Sequence, residues 1–314
     1  MSRRRRSSAP GPAPGPAAAR APANGPPANG PPAEAPSLAE PDEDVSVDLP
    51  TIDTEADEAA ALRGRGAPAP AKRPTRPAKA AKAAKGSKRS SPSLVSSGLT
   101  KDYGDLVALD KLTLKIGRGQ RVMIVGPNGS GKTTLIRIAA GLLEPTGGEL
   151  RVLGAVAGSL EARSVTSYIS DNPVLYDDLS VIEHLEYVAR LHGAGDWVDR
   201  GWEVLERLGL DERADDLPSR FSRGLRQKVA IALGLCRPFD VLLVDEPFVG
   251  LDALGKIALL ELLGEEAARG ASILVATHSL DFVDQAERCV GLRDGQLSYD
   301  GPATAAVIAR LVGL

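Results

Sequence analysis

The stretch RVMIVGPNGSGKTTLIRIAAG, Arg121 to Gly141, constrains the chain more than any other. A short apolar run ends at a glycine, passes through a small-residue loop and enters a run of helical character. The loop, Gly126–Thr133, fits G-x-x-x-x-G-K-[ST] between a strand and a helix. The glycines let backbone N–H groups turn inward around phosphate oxygens. The helix N-terminus adds partial positive charge and Lys132 a full one. Thr133 carries a hydroxyl of the kind that binds Mg²⁺. The candidate phosphate-binding residues are Gly126, Pro127, Asn128, Gly129, Ser130, Gly131, Lys132, Thr133 and Thr134.

Such a loop needs a sheet behind it, and the sequence supplies one. LTLKI (Leu112–Ile116) alternates like a half-buried strand, while VLLV (Val241–Val244) and SILVAT (Ser272–Thr277) are short apolar runs that end in polar clusters. Strands of this kind, separated by helical stretches, predict an α/β body with a mostly parallel sheet. Ligands of open α/β sheets bind at the carboxyl ends of the strands. VLLVDEP there offers Asp245 to orient a metal shell and Glu246 to position and polarise a water. Between Ser180 and Leu235 the texture becomes helical. SVIEHLEYVARLHG opens on a capping box, Ser180 with Glu183, and DWVDRGWEVLERLG reads as a second amphipathic helix stopped at Gly209. We expect a helical insert over about 171–235.

Composition divides the chain in two. Of 24 prolines, 17 precede residue 93. The segment 1–92 has too few large apolar groups to offset the entropy of ordering, and is expected to be a disordered low-complexity tail with 93–314 as the folded domain. Its basic stretch AKRPTRPAKAAKAAKGSKR reads as a solvated linker, or else as a contact for anionic lipid or nucleic acid. The body carries a net negative charge, which argues against a specific nucleic-acid partner. Cys236 and Cys289 lack ligand spacing, read as packing residues and fit a reducing cytoplasm. No apolar run is long enough to span a bilayer, and the proline-broken start after Arg3–Arg6 has no signal-peptide core.

With these motifs in order, the body resembles the nucleotide-binding subunit of an ATP-binding cassette (ABC) transporter over about residues 94–305. The resemblance implies a P-loop NTPase core, a small antiparallel β subdomain and an inserted α-helical subdomain. It makes Tyr103, in TKDYGDLVALD, the aromatic that stacks on adenine. Gly126–Thr133 become the Walker A loop, and Asp245 and Glu246 the Walker-B aspartate and catalytic glutamate. Asp252, in VGLD, becomes the D-loop aspartate, and His278 the switch histidine near the γ-phosphate. The signature turn, usually Leu-Ser-Gly-Gly-Gln, reads Phe221-Ser222-Arg223-Gly224-Leu225, keeping Ser222 and Gly224 as nucleotide contacts. The glutamine of the coupling loop is replaced in SYISDNPVLYDDLSV by Asp171, a candidate metal contact, or by Asn172 if the register slips by one.

The resemblance further implies ATP and Mg²⁺ as ligands, and Glu246, His278 and Lys132 as the catalytic groups. A chain with one copy of each motif needs a second copy to close its sites, most simply as a homodimer. It also needs a separate transmembrane permease, with the chain peripheral on the cytoplasmic face of the cell membrane. YDDLSV and the short C-terminus resemble exporter cassettes. A soluble ABC ATPase acting on protein or nucleic-acid complexes, and a non-enzymatic nucleotide-binding regulator, are the other readings. A long coiled-coil insertion or second cassette would favour the first, and loss of Glu246 or His278 the second.

Overall fold

The computed structural model describes residues 91–313. The expectation of disorder over 1–92 therefore falls, apart from Ser91 and Pro92, outside the described residues. Two sheets build the body. β1 (Leu94–Asp102), β2 (Val107–Ile116), β4 (Gly147–Val152) and β5 (Ala155–Val156) form an antiparallel sheet in the order β2–β1–β4–β5. The second sheet runs β10–β9–β3–β8–β7–β6. Its strands β3 (Arg121–Val125), β6 (Thr166–Ile169), β7 (Val241–Asp245), β8 (Ser272–Ala276) and β9 (Arg288–Arg293) are parallel. Only β10 (Gln296–Pro302), on the edge, is antiparallel.

The central strands read as continuous apolar runs because both of their faces are covered. Met123, Val125, Leu242, Val244, Ile273 and Val275 face one core, while Val122, Ile124, Val241, Leu243, Leu274 and Ala276 face another. That second core is closed by the antiparallel sheet, through Leu94, Leu109, Leu114 and Leu150, and by α1 (Lys132–Ala139), through Leu135, Ile136 and Ile138. Alternate residues of one strand thus lock the phosphate loop from below and the helical region from above. Full burial of each such side chain is worth about 1.5–3 kcal/mol.

The first core is covered by α3 (Val181–Leu191), α4 (Trp197–Leu208), α5 (Arg223–Leu235) and α6 (Ala253–Ala268). Two short elements, α2 (Leu160–Val165) and α7 (Ala305–Val312), complete the fold. The expected capping box is present: Ser180 Oγ accepts from the Glu183 N–H, and Glu183 accepts from the Ser180 N–H. Gly209 ends α4 in the left-handed region at φ 66°. Helix α5 lies flush on β6, since a Cβ on Gly234 would come within 2.5 Å of Ile169 Cγ1. Ion pairs tie α4 to α6, with Arg207 Nη2 2.8 Å from Glu261 and Arg200 Nη2 2.7 Å from Glu266. Among the described residues no helix is long and apolar enough to cross a membrane.

Candidate active site

Parallel register brings three loops together. β3 pairs with β8 at Ile124↔Ala276, and β8 pairs with β7 at Ala276↔Asp245. The loops that follow are stitched across: Glu246 N donates to Ala276 O at 2.8 Å, and Thr277 N to Ile124 O at 3.1 Å. Gly126, Glu246 and Thr277 therefore begin their loops side by side at the carboxyl edge of the sheet.

The phosphate loop is built by close approach. A Cβ on Gly126 would lie 2.2 Å from Leu292 O, and one on Gly131 would lie 2.5 Å from Ala108 O. Gly131, at φ 100°, also caps α1 in a conformation that disfavours any other residue. Lys132 folds back over its own loop, donating to Gly126 O at 2.8 Å and Pro127 O at 3.2 Å. Burial lowers the pKa of its ammonium, while Glu246 and Asp245 oppose that shift. Ser130 N donates to Pro127 O, Asn128 and Gly129 are exposed at the tip, and Thr134 lies in the first turn of α1.

Asp245 is fully buried, and its Oδ1 accepts from Thr133 Oγ1 at 3.1 Å. Its pKa is pushed up to about 6, first by burial and then by the charges of Asp171 and Glu246, with Thr133 and Arg137 pulling the other way. Asp245 Oδ2 and Ser130 Oγ are buried without a hydrogen-bond partner. A buried, unmatched carboxylate oxygen costs free energy unless a ligand or cation completes it. The donor set fits a hard divalent cation and a polyphosphate: a threonine hydroxyl, carboxylates, backbone N–H groups in a glycine loop and one ammonium. Asp171 reaches this edge from the segment after β6. It pairs with Arg137 of α1 at 3.7 Å and accepts from Ser170 Oγ at 3.3 Å. Asn172, the alternative in the sequence, is exposed.

Glu246 and His278 form a pair. His278 Nδ1 lies 2.9 Å from Glu246 Oε1, and Glu246 Oε2 accepts from Thr277 Oγ1 at 3.1 Å and the His278 N–H at 3.4 Å. The imidazole is about half exposed and the carboxylate largely covered, at 52% and 17%. Glu246 has φ 43°, a strained value for a residue with a side chain.

Ser222, Gly224 and Asp252 form a second group. Ser222 caps α5 by accepting from Leu225 N. A Cβ on Gly224 would lie 2.4 Å from Gly250 O. Asp252 caps α6 by accepting from Gly255 N at 2.9 Å and pairs with Lys228 of α5 at 3.2 Å. Those contacts hold its carboxyl below the usual range, the Gly255 bond first and Lys228 next. Tyr103 is exposed in the turn after β1, with Lys101 Nζ 5.1 Å from its ring centroid.

Comparison with known proteins identifies the family of the chain. Residues 109–249 match the family model described as ABC transporter. The SkfA peptide export ATP-binding protein SkfE of Bacillus subtilis (strain 168) is 36% identical over 205 residues, which cover 64% of this chain and 86% of SkfE. The chain belongs to the ABC transporter ATP-binding family. The aliphatic sulfonates import ATP-binding protein SsuB of Pseudomonas putida is 38% identical over 210 residues, covering 66% of this ABC chain and 75% of SsuB. A solved ATP-binding subunit of an ABC transporter superposes with TM-score 0.63 at 34% identity, covering 69% of this chain and 92% of that one. The dimeric cassette MJ0796, solved in a post-hydrolysis state with ADP and Pi, gives 0.62 at 26% identity, covering 68% and 99%. This ABC chain is thus an ATPase cassette of transporter type with the P-loop NTPase fold.

Three participants escaped the sequence reading. In the sequence Thr277 reads only as the end of a strand beside a candidate histidine, and it is the fold that buries its hydroxyl against Glu246. Lys228 reads in the sequence only as one cation of RGLRQK, Arg223 to Lys228. Gly250 was merely a letter of VGLD, yet its approach to Gly224 gives that glycine a steric reason within its own chain.

Proposed function

We propose that this chain is the ATP-hydrolysing subunit that drives a separate membrane-spanning permease, working as a homodimer on the cytoplasmic face of the membrane. The observation that carries the reading is the convergence of Lys132, Thr133, Asp245, Glu246 and His278 on one edge of the sheet. The Ser222–Gly224 turn, packed instead against Gly250 and facing solvent through Ser222, supports a second copy. There it would meet the nucleotide of its partner, and Tyr103, with an exposed ring, would stack on the base.

In this mechanism the N–H groups of Gly126–Thr133 and the Lys132 ammonium bind the β- and γ-phosphates. Lys132 gives up its bonds to the Gly126 and Pro127 carbonyls to do so. Mg²⁺, held by Thr133 and Asp245 with Asp171 nearby, would supply positive charge against the phosphate oxygens. Glu246 orients a water on the γ-phosphorus and takes up its proton as the new P–O bond forms and the bond to ADP breaks. His278 holds Glu246 through Nδ1 and leaves Nε2 to face the γ-phosphate oxygens. Closing the dimer on ATP and reopening it after hydrolysis shifts the population between two arrangements, which is the output to the permease.

For direction we propose export, supported by the match that spans most of SkfE; SsuB, an import protein, matches over a smaller share of its length. The decisive experiment is Glu246→Gln. The variant should bind ATP, accumulate as a dimer on size exclusion and lose at least a hundredfold in turnover. Turnover at the wild-type rate would remove Glu246 from this role. Recovery of an integral membrane protein with the tagged chain tests the permease, and uptake by inverted vesicles tests the direction.

A further inference from the structure

Glu246 does not set its own position. Its backbone is strained, and both carboxylate oxygens are fixed by neighbours on the loop after β8. One of those neighbours is a histidine with an exposed ring. The other is Thr277, fully buried, whose hydroxyl gives its one proton to Glu246 Oε2.

From Thr277 the polar contacts continue without a gap. Thr277 Oγ1 accepts from Ser279 N at 3.0 Å. Ser279 Oγ donates to Asp281 Oδ2, and Asp281 N donates back to Ser279 Oγ at 3.2 Å. Asp281 Oδ2 pairs with Lys256 Nζ at 3.0 Å. Lys256 sits in the first turn of α6, and its N–H donates to Asp252 O at 3.0 Å. The Asp252 carboxylate is the residue bound to Lys228, one turn beyond Gly224 on α5. The Glu246 carboxylate is therefore joined, through these contacts and the short covalent segments between them, to α5, the helix that begins at the Ser222–Gly224 turn.

We propose that Thr277, Ser279, Asp281 and Lys256 are positioning residues that align the Glu246 carboxylate and tie it to the first turn of α6. The proposal rests on the assignment of Glu246 as the water-orienting group. None of the four touches the reacting atoms. Thr277 acts on Oε2 directly, and Lys256 acts through Asp281 and the loop. Movement of α6 as two copies close then changes the aim of Glu246, so that a well-aligned carboxylate exists only when the partner is in place.

The test uses the full chain with Thr277→Val, Thr277→Ser and Lys256→Met, and Glu246→Gln as reference. Valine matches threonine in shape and lacks the hydroxyl, so it isolates the hydrogen bond. Three readouts are taken: kcat and KM for Mg-ATP, affinity for trinitrophenyl-ATP, and the long-range ¹H–¹⁵N spectrum of the histidine rings without nucleotide. With three histidines in the chain, His278 is assignable by substitution. We expect Thr277→Val to lower kcat at least tenfold with KM and analogue affinity within twofold, and to shift the His278 signals. Thr277→Ser should restore most of the turnover, and Lys256→Met should lower kcat at least threefold at unchanged affinity.

The proposal is overturned if Thr277→Val keeps kcat within twofold while Glu246→Gln abolishes it. It also falls if serine and valine are equally damaging, or if KM and the analogue's dissociation constant rise more than twofold as kcat falls, because those outcomes describe a packing role. If Glu246→Gln itself keeps its turnover, the assignment of Glu246 fails first and takes the alignment role with it. A shifted His278 spectrum would then still report the hydrogen-bonded path.

Discussion

The buried Asp245 makes a quantitative prediction about Asp245→Asn. Its carboxyl has a pKa of about 6 in the folded chain against an ordinary 3.8. At about 1.4 kcal/mol for each tenfold change in proton affinity, the ionised form destabilises the nucleotide-free fold by about 3 kcal/mol at neutral pH. The sign follows from proton binding. Because the folded protein holds this proton more tightly, folding is favoured most below pH 3.8, weakens as pH rises towards about 6, and is constant in this respect above that. Asparagine is nearly isosteric, and its carbonyl can still accept from Thr133. Its amide remains buried without an acceptor, which offsets part of the gain and leaves about 1–2 kcal/mol. For a body of this size that is a rise in Tm of about 2–8 °C. The assay is calorimetric unfolding in EDTA at pH 7.5 and again near pH 4, where the wild type has regained most of the about 3 kcal/mol and the variant, still carrying its unmatched amide, should fall about 1 kcal/mol below it. Adding Mg-ATP should raise the Tm of the wild type and scarcely move the variant. A variant no more stable than wild type at pH 7.5 in EDTA would refute the account of Asp245 as an unmatched charge awaiting a cation.

Other perturbations follow from the same geometry. Gly224→Ala puts a methyl 2.4 Å from Gly250 O and should cost about 1–3 kcal/mol in denaturant unfolding, despite the better helix propensity of alanine. Wild-type stability in that variant would show that the contact yields freely. Asp252→Ala removes a helix cap and the Lys228 pair together, and should cost about 1–2 kcal/mol by urea titration; Asp252→Asn, which can still cap, should recover at least half. Burial pushes the Cys236 and Cys289 thiols up to about 11, so both should resist Ellman's reagent at pH 8 in the native state and react within minutes in urea.

The parts legible in the sequence were those whose chemistry is local. RVMIV and VLLVD end where β3 and β7 end, because burial on both faces writes an unbroken apolar run. The capping box of α3 and the Gly209 stop of α4 are likewise written within a few residues. The signature glycine illustrates the opposite case. Nothing near Gly224 in the sequence says that Gly250 O will lie against it, because 25 residues, a whole strand among them, intervene. Thr277 and Asp281 belong to the same class: their partners Glu246 and Lys256 are brought to them by the pairing of β7 with β8. The two cores also resist reading from sequence, since a doubly covered strand does not reveal which of its faces meets the antiparallel sheet.

The contact between Gly224 and Gly250 makes two distant errands inseparable. Gly250 stands only four residues after Glu246, so pushing on the start of α5 tugs the peptide that carries the Glu246 carboxylate. Under the proposed function, whatever a protomer senses of its neighbour's triphosphate would be delivered at once to its own. Damage to that turn would thus silence both pockets, and mixing a Gly224 variant with intact subunits should yield pairs in which neither half fires normally.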